Sequence, residues 1–363
     1  MEIPYGSLLD SNDQNISNDS EPSSVFRLCR PQRGGGRFFF SQPVGNCQGM
    51  RDVAVKFEGS EKKFEIILAE KMSGLRANLE GRWDRVVSAA GAHIISCAST
   101  SEMDAYLLSE SSLFVWEDRV LMITCGRTQL IRAVPEIVRI VGLSNVAFVF
   151  YERKNFLFPG DQVSDFEMES AVLRTYFPGK SYRLGPADRD HIHLFHAGGY
   201  RTGRTGARRL QLLMRALDPA VMALFTRACS GTADMAHALS KMATLYPRMP
   251  YDHNLFSPEG YSLNGVAGKH YYTVHVTPQR EGAYVSFETN VPEADYTATV
   301  EAVLAIFRPG KLSIAFTHSL VDLENPFDCL PEAVGAGYRT TEKSVYVLGG
   351  GYGGLFMNKA RRE

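Results

Sequence analysis

The sequence predicts an α+β protein in which helices cover antiparallel sheets, and three observations carry that prediction. Strand-like runs follow one another through hairpin-length connections, as in SLFVW and RVLMITC on either side of Glu117-Asp118. Several runs alternate polar and apolar residues with a period of two, the pattern of a strand with two unlike faces. Segments with helical apolar spacing stand between them at irregular intervals, which favours helices laid over antiparallel sheets. Of the 363 residues, 44% are hydrophobic and 22% charged, an ordinary globular balance with ample length for a core.

Taken in order, residues 1–50 differ from the rest. SNDQNISNDSEPSS is polar and RLCRPQRGGGRFFF mixes arginine with glycine. Such composition cannot bury enough apolar surface to offset its ordering entropy, so disorder is expected there and a folded domain over 51–363. Strands are expected at 63–69 and 93–99, with a helix over 79–91 between them. A helix over 127–143 is expected to bend at Pro135, and a strand follows at 145–153. A helix over 165–177 precedes strands at 190–197 and 209–217, after which Asp218-Pro219 supplies an N-cap and first-turn proline. A hairpin over 269–276 and 283–289, a helix over 294–307 and a strand at 311–319 come next. SVYVLGGG (344–351) reads as the last strand, and GGGYGG (349–354) as a turn-rich terminus without phosphate-loop context.

Charge and cysteine content exclude several classes. The net charge of −1 gives no reason to expect a nucleic-acid or membrane partner, and no apolar run reaches membrane-spanning length. RGGGR and YRTGRTGARR (200–209) leave an RNA-binding reading open, but no RNA-binding motif accompanies them. Six scattered cysteines without CxxC spacing, and no secretory leader, point to free thiols in a cytoplasmic protein.

Four places could carry chemistry. In LLSESSLFVWEDRVLMITCG (107–126), Ser111 stands at the mouth of a hairpin whose second strand ends on Cys125. A two-residue connection sets Ser111 opposite Thr124, a three-residue one opposite Cys125, and the sequence leaves both open. In YYTVHVT (271–277), Tyr271, Thr273, His275 and Thr277 share one face, which fits either a site lining or a solvent-facing edge. His275 could move a proton near neutral pH. His191 and His193 share a face, but His196 has the wrong parity and no acidic or cysteine cluster joins them, so no metal is expected. LFSPEGYSLNG (255–265) has the composition of a loop.

Together these segments resemble the eukaryotic S-adenosylmethionine decarboxylases, self-processing enzymes of polyamine synthesis. The resemblance is carried by KFEGSEKKFEI (56–66), AYLLSESSLFV (105–115), ITCG (123–126), YERKNF (151–156), LDPAVM (217–222), FSPEGYSLNG (256–265), and YTVHVTP with YVSFETN (272–290). It runs from about residue 50 to the C-terminus and implies a four-layer αββα sandwich. It implies cleavage between Glu110 and Ser111 into chains of residues 1–110 and 111–363, with Ser111 becoming the pyruvoyl cofactor. That carbonyl would capture the amine of S-adenosylmethionine as a Schiff base and accept the electrons left by CO2. By the same resemblance His275 removes the α-proton during processing, Ser262 assists it, and Cys125 is the proton donor in decarboxylation. Phe57 and Phe256 match the aromatic pair around adenine, Glu58 and Glu61 are active-site acids, and Glu110 touches substrate. Glu65, Asp190 and Glu288 match parts of a putrescine activator site.

Departures accompany the match. Gln279 stands where the family's ribose-holding glutamate follows HxTP, which weakens charge-assisted bonding, and Glu259 replaces a usual cysteine before GYS. Ile123 stands where several relatives carry lysine, leaving the putrescine response open. These departures motivate a second class, a weak or inactive regulatory paralogue that activates a partner decarboxylase. Homodimer and paralogue heterodimer both stay open.

Overall fold

A computed structural model of the chain describes residues 27–29, 58–198, 208–257, 259–320, 327–331 and 334–362. The first half of the chain builds one sheet: β1 (Arg27–Cys29), β2 (Glu61–Leu68), β3 (Ile94–Ser99), β4 (Met103–Leu108), β5 (Ser111–Trp116), β6 (Arg119–Cys125), β7 (Val146–Lys154), β8 (Gly179–Leu184) and β9 (Ile192–Gly198). The second half builds another: β10 (Arg209–Arg215), β11 (Tyr251–Leu255), β12 (Tyr261–Ala267), β13 (His270–Thr277), β14 (Tyr284–Thr289), β15 (Lys311–Ser319), β16 (Tyr338–Leu348) and β17 (Tyr352–Arg361). The spatial orders are β1-β3-β4-β5-β6-β2-β7-β9-β8 and β11-β12-β13-β14-β10-β15-β17-β16, with every ladder antiparallel.

Helices close the outer faces. α1 (Arg82–Ala89), α2 (Ala133–Val141) and α3 (Phe166–Tyr176) pack Trp83, Val86, Ile137 and Leu173 onto the first sheet through Phe64, Leu113 and Tyr151. α4 (Pro219–Ala223), α5 (Ala233–Ala243) and α6 (Thr297–Phe307) pack Val221, Met242, Val303 and Phe307 onto the second through Leu212, Val274 and Ile314. Each such side chain, fully buried, stabilises the fold by roughly 1.5–3 kcal/mol. The order of layers is helix, sheet, sheet, helix, as the resemblance implied.

The space between the sheets is different. Phe114, Trp116, Ile123 and Tyr271 make an apolar cluster at one side, and Phe148, Phe150, Leu213 and Phe356 another at the opposite side. Between them the inward faces of β2, β7, β10, β13 and β14 carry buried Glu61, Lys63, Glu65, Glu152, Lys154, Arg209, Arg215, His275 and Glu288. Two outer cores therefore hold the fold, which leaves its middle layer free to carry charge.

Several expectations change. Pro135 lies in the first turn of α2 and bends nothing, because its missing N–H would have had no helical acceptor there. Asp165 and Asp218 cap α3 and α4 by accepting from Met168 N and Ala220 N, although the helix that Asp218-Pro219 opens ends at Ala223. The loop expected over 255–265 is confined to the connection between Leu255, which ends β11, and Tyr261, which begins β12; the SLNG part lies in β12, between β11 and β13. Residues 344–351 are not the last strand, since β17 returns after a three-residue 3-10 turn at Gly349–Gly351. The polar face of β13 is no solvent edge, because the strand sits between β12 and β14 with Thr273 and His275 buried. Within the segment expected to be disordered, Arg27–Cys29 pairs with β3; the remainder of 1–50, with RGGGR, lies outside the described residues, as does most of YRTGRTGARR.

Candidate active site

Strand register decides which side chains meet. β5 and β6 are joined by Glu117-Asp118 alone, so Ser111 pairs with Thr124 and the two-residue alternative holds. Ser111 also pairs with Leu108 of β4, so Ser109-Glu110 forms a second tight turn and the Glu110–Ser111 bond sits at its exit. Ser111 has φ +127°, a region that costs a side-chain-bearing residue about 1–3 kcal/mol. Backbone strain at Ser111 therefore stands directly beside the Glu110–Ser111 peptide bond.

From the facing sheet, β13 directs His275 at this turn. Its Nε2 lies 3.0 Å from Ser111 Oγ, and its Nδ1 lies 2.9 Å from Oγ of Ser262, its partner across the β12–β13 ladder. Burial, and secondarily the Lys63 charge, lowers the imidazole pKa to about 3, so the ring is neutral through the physiological range. A neutral ring with Nδ1–H donated to Ser262 presents a lone pair at Nε2 toward Ser111.

Cys125 closes the other side. Its N–H donates to the Glu110 carbonyl oxygen at 3.2 Å, and its Sγ lies 3.6 Å from the same oxygen and 3.8 Å from Glu110 Oε2. Burial first, then the nearby Glu110 and Glu61 carboxylates, pushes the thiol well above its usual range, so Sγ keeps its proton. The pair Ser111–His275 and the Cys125 donors therefore converge on opposite ends of one peptide unit. Such an arrangement offers a nucleophile, a base and two donors for a developing oxyanion.

Glu61 faces Cys125 across the β2–β6 ladder and accepts from Ser286 Oγ. Burial raises its carboxyl to about 7 against the opposing pull of Lys63, and among the described residues no cation lies within salt-bridge distance of it. It can change protonation near neutral pH. Glu58 is occupied differently: its oxygens accept from Leu157 N at 2.6 Å, Phe158 N at 2.9 Å and Ser60 Oγ at 2.8 Å. Phe256 follows the end of β11 and Gln279 lies two residues beyond β13, both partly buried, whereas Phe57 lies outside the described residues.

A model of the adenosylmethionine decarboxylase family matches residues 54–358. The chain belongs to that family. The S-adenosylmethionine decarboxylase proenzyme of Dictyostelium discoideum is 33% identical over 330 residues, spanning 85% of this chain and 86% of the relative. The proenzyme of Trypanosoma cruzi is 36% identical over 276 residues, 71% of this chain and 74% of that one. The crystal structure of the Trypanosoma brucei AdoMetDC-delta26 monomer superposes with a TM-score of 0.55 at 25% identity, covering 69% of this chain and 99% of that one.

Around the decarboxylase site lies the charged layer that sequence reasoning met only in part. Glu65, Asp190 and Glu288, matched to the family's putrescine site, do gather between the sheets, but each already has cationic partners. Lys63 Nζ donates to Glu288 and lies 3.5 Å from Glu152. Arg209 bonds Glu65 at 3.0 Å and Glu152 at 3.2 Å. Lys154 lies 3.3 Å and Arg215 3.4 Å from Asp190. Burial alone would raise Glu152, but Lys63 and Arg209 outweigh it and hold the carboxyl below its usual range. The cavity among Glu61, Lys63, Glu152, Lys154 and Gln211 is about 10 Å³ for the centre of a water-sized sphere, room for roughly one water. Period-two counting from Glu61 and Glu65 could have found Lys63; Arg209 and Glu152 carried no such signal.

His191 and His193 do share a face, with their Nε2 atoms 3.2 Å apart, but among the described residues no group of three or more metal-ligating side chains forms. Also among the described residues, no helix is long and apolar enough to cross a membrane.

Proposed function

We propose that this chain is a proenzyme that cuts itself between Glu110 and Ser111 and then decarboxylates S-adenosylmethionine. The observation that carries the reading is the 3.0 Å approach of His275 Nε2 to Ser111 Oγ at a linkage whose carbonyl already accepts from Cys125 N–H. His275 takes the Ser111 hydroxyl proton as Oγ bonds to the Glu110 carbonyl carbon. The C–N bond then breaks, the proton passes to the departing nitrogen, and an ester replaces the amide. Cys125 N–H and Sγ–H hold the oxyanion through that step, and the φ +127° strain at Ser111 is relieved as the linkage opens. His275 next removes the Ser111 α-proton, Glu110 leaves as a carboxylate, and the dehydroalanine left behind hydrolyses with loss of ammonia to a pyruvoyl group.

A pyruvoyl group formed at Ser111 would supply a carbonyl for the substrate amine and an acceptor for the electron pair left by loss of CO2. The chain's own residues do the rest. Cys125 holds a proton at Sγ, in reach of the strand end where Ser111 stands, for delivery to carbon. Glu61 places a carboxyl of pKa about 7 beside it, attractive to a cationic substrate once ionised. Phe256 offers an aromatic face, and Gln279 a neutral amide, to the nucleoside.

In this reading no external diamine is required. Lys63, Lys154, Arg209 and Arg215 already pair with the carboxylates of Glu65, Glu152, Asp190 and Glu288, and the cavity among Glu61, Lys63, Glu152, Lys154 and Gln211 has room for roughly one water. The regulatory-paralogue alternative is not favoured, because Ser111, Cys125, Ser262 and His275 are retained in contact.

Denaturing electrophoresis with intact mass tests the reading. The purified chain should run as pieces of 110 and 253 residues (363 less 110), the larger with a blocked N-terminus, and should release CO2 from S-adenosylmethionine. Ser111→Ala should stay whole and inactive. A wild-type chain that stays whole would overturn it.

A further inference from the structure

Resting on the reading of Ser111 as the self-cleavage nucleophile, we infer that Asn264 is a positioning residue that reserves the His275 lone pair for Ser111. A neutral imidazole has a single acceptor at Nε2, yet three hydroxyls surround this one. Thr273 Oγ1 lies at 2.8 Å, Ser111 Oγ at 3.0 Å and Ser112 Oγ at 3.4 Å. Only the Ser111 proton is useful there, and Thr273 is the nearest of the three.

Asn264, in β12 two residues beyond Ser262, resolves the competition. Its Oδ1 lies 2.7 Å from Ser112 Oγ and 2.9 Å from Thr273 Oγ1, so its two lone pairs can take both competing protons. Its Nδ2 donates to the Tyr106 carbonyl oxygen at 3.4 Å. A carbonyl cannot donate, so this contact fixes the amide with Oδ1 toward the two hydroxyls rather than Nδ2. Asn264 is fully buried, so no bulk water takes over its role. The site is therefore assembled from both sheets: β4 orients the amide, the amide turns the hydroxyls of β5 and β13, and Ser111 is left alone with the base.

Without Oδ1, the Thr273 and Ser112 hydroxyls would be free to compete with Ser111 for Nε2. Asn264→Leu, close in shape, is expected to slow self-cleavage of the freshly folded precursor about tenfold. Removing the competitors in the same chain (Asn264→Leu with Ser112→Ala and Thr273→Val) is expected to restore the rate to within about threefold of wild type. A packing defect would gain nothing from two further substitutions. A wild-type rate in Asn264→Leu, or a triple variant no faster than Asn264→Leu, overturns the assignment. Thr273→Val alone keeps the test open should Asn264→Leu fail to fold: it is expected to cleave about twofold faster, and a threefold fall would make Thr273 a needed donor and overturn the assignment. Wild-type precursor run alongside separates the two levels. If it does not cleave, the reading of Ser111 falls; if it cleaves and the variants miss these outcomes, only Asn264 does.

Discussion

Self-cleavage should be nearly independent of pH between 5 and 8, and the reason lies in where His275 is held. A base with the ordinary histidine pKa of about 6.5 is only ~3% neutral at pH 5, so a rate depending on it would fall roughly 30-fold from its plateau. His275 is buried between the sheets with Lys63 nearby, and its pKa is lowered to about 3. At pH 5 such a ring is still almost wholly neutral, and the expected loss is small beside that roughly 30-fold fall. Precursor made in denaturant and diluted into buffers from pH 5 to 8, followed by electrophoresis over time, reads the rate directly. Stability must be checked in the same samples, because the sign of the linkage is unfavourable. The folded pKa lies below the unfolded one, so the unfolded chain binds the extra proton and stability falls as pH drops below about 6.5. The cost from this group is about 2 kcal/mol at pH 5. Folded precursor whose cleavage rate titrates with a midpoint near 6.5 would refute the placement of His275 as a desolvated base.

Three further outcomes follow from the same geometry. Putrescine at millimolar concentration should change decarboxylation less than twofold in the wild-type chain, whereas Lys63→Ala, which strips Glu288 of its ammonium, should create a several-fold activation by added diamine, read as CO2 release. The KM for S-adenosylmethionine should fall as pH rises through about 7, where Glu61 ionises, and Glu61→Gln should flatten that profile. Gln279→Glu should lower KM about three- to tenfold with little change in kcat, since a charged acceptor roughly doubles the strength of a ribose hydrogen bond; an unchanged KM would remove residue 279 from the nucleoside site.

How much of this was legible in the sequence differs element by element. The alternation in YYTVHVT put Thr273 and His275 on one face, and the structure aims that face at Ser111. The turn at Glu117-Asp118 was legible too, but the register it imposes was not, because a one-residue difference in the loop leaves the same sequence pattern. FSPEGYSLNG looked like a loop since glycine and asparagine are poor strand formers on average. Here Gly265 is required: a Cβ would stand 1.8 Å from the Tyr272 ring, and the asparagine is a working part of an interior strand. The charged middle layer was hidden for a different reason. Alternation of Glu61, Lys63 and Glu65 is equally compatible with a solvent-facing strand, because the pattern of a strand says which residues share a face and not what covers that face. Only the arrival of β10 and β14 with Arg209 and Glu288 makes it an interior.

One detail of the first sheet reaches beyond the chemistry. β2 is clasped between β6 and β7, while β4 borders β5. A cut after Glu110 assigns β1 to β4 to one fragment and β5 onward to the other, so the short fragment is woven into the sheet at two separate places. Before the cut, folding is a first-order event within one molecule. After it, the same structure could be regained only by a bimolecular encounter in which two fragments thread β2 back between strands of the other. Recovery from denaturation should then depend on protein concentration in the cleaved form and not in Ser111→Ala. The cleaved protein would persist through the slowness of its unfolding rather than through ready refolding.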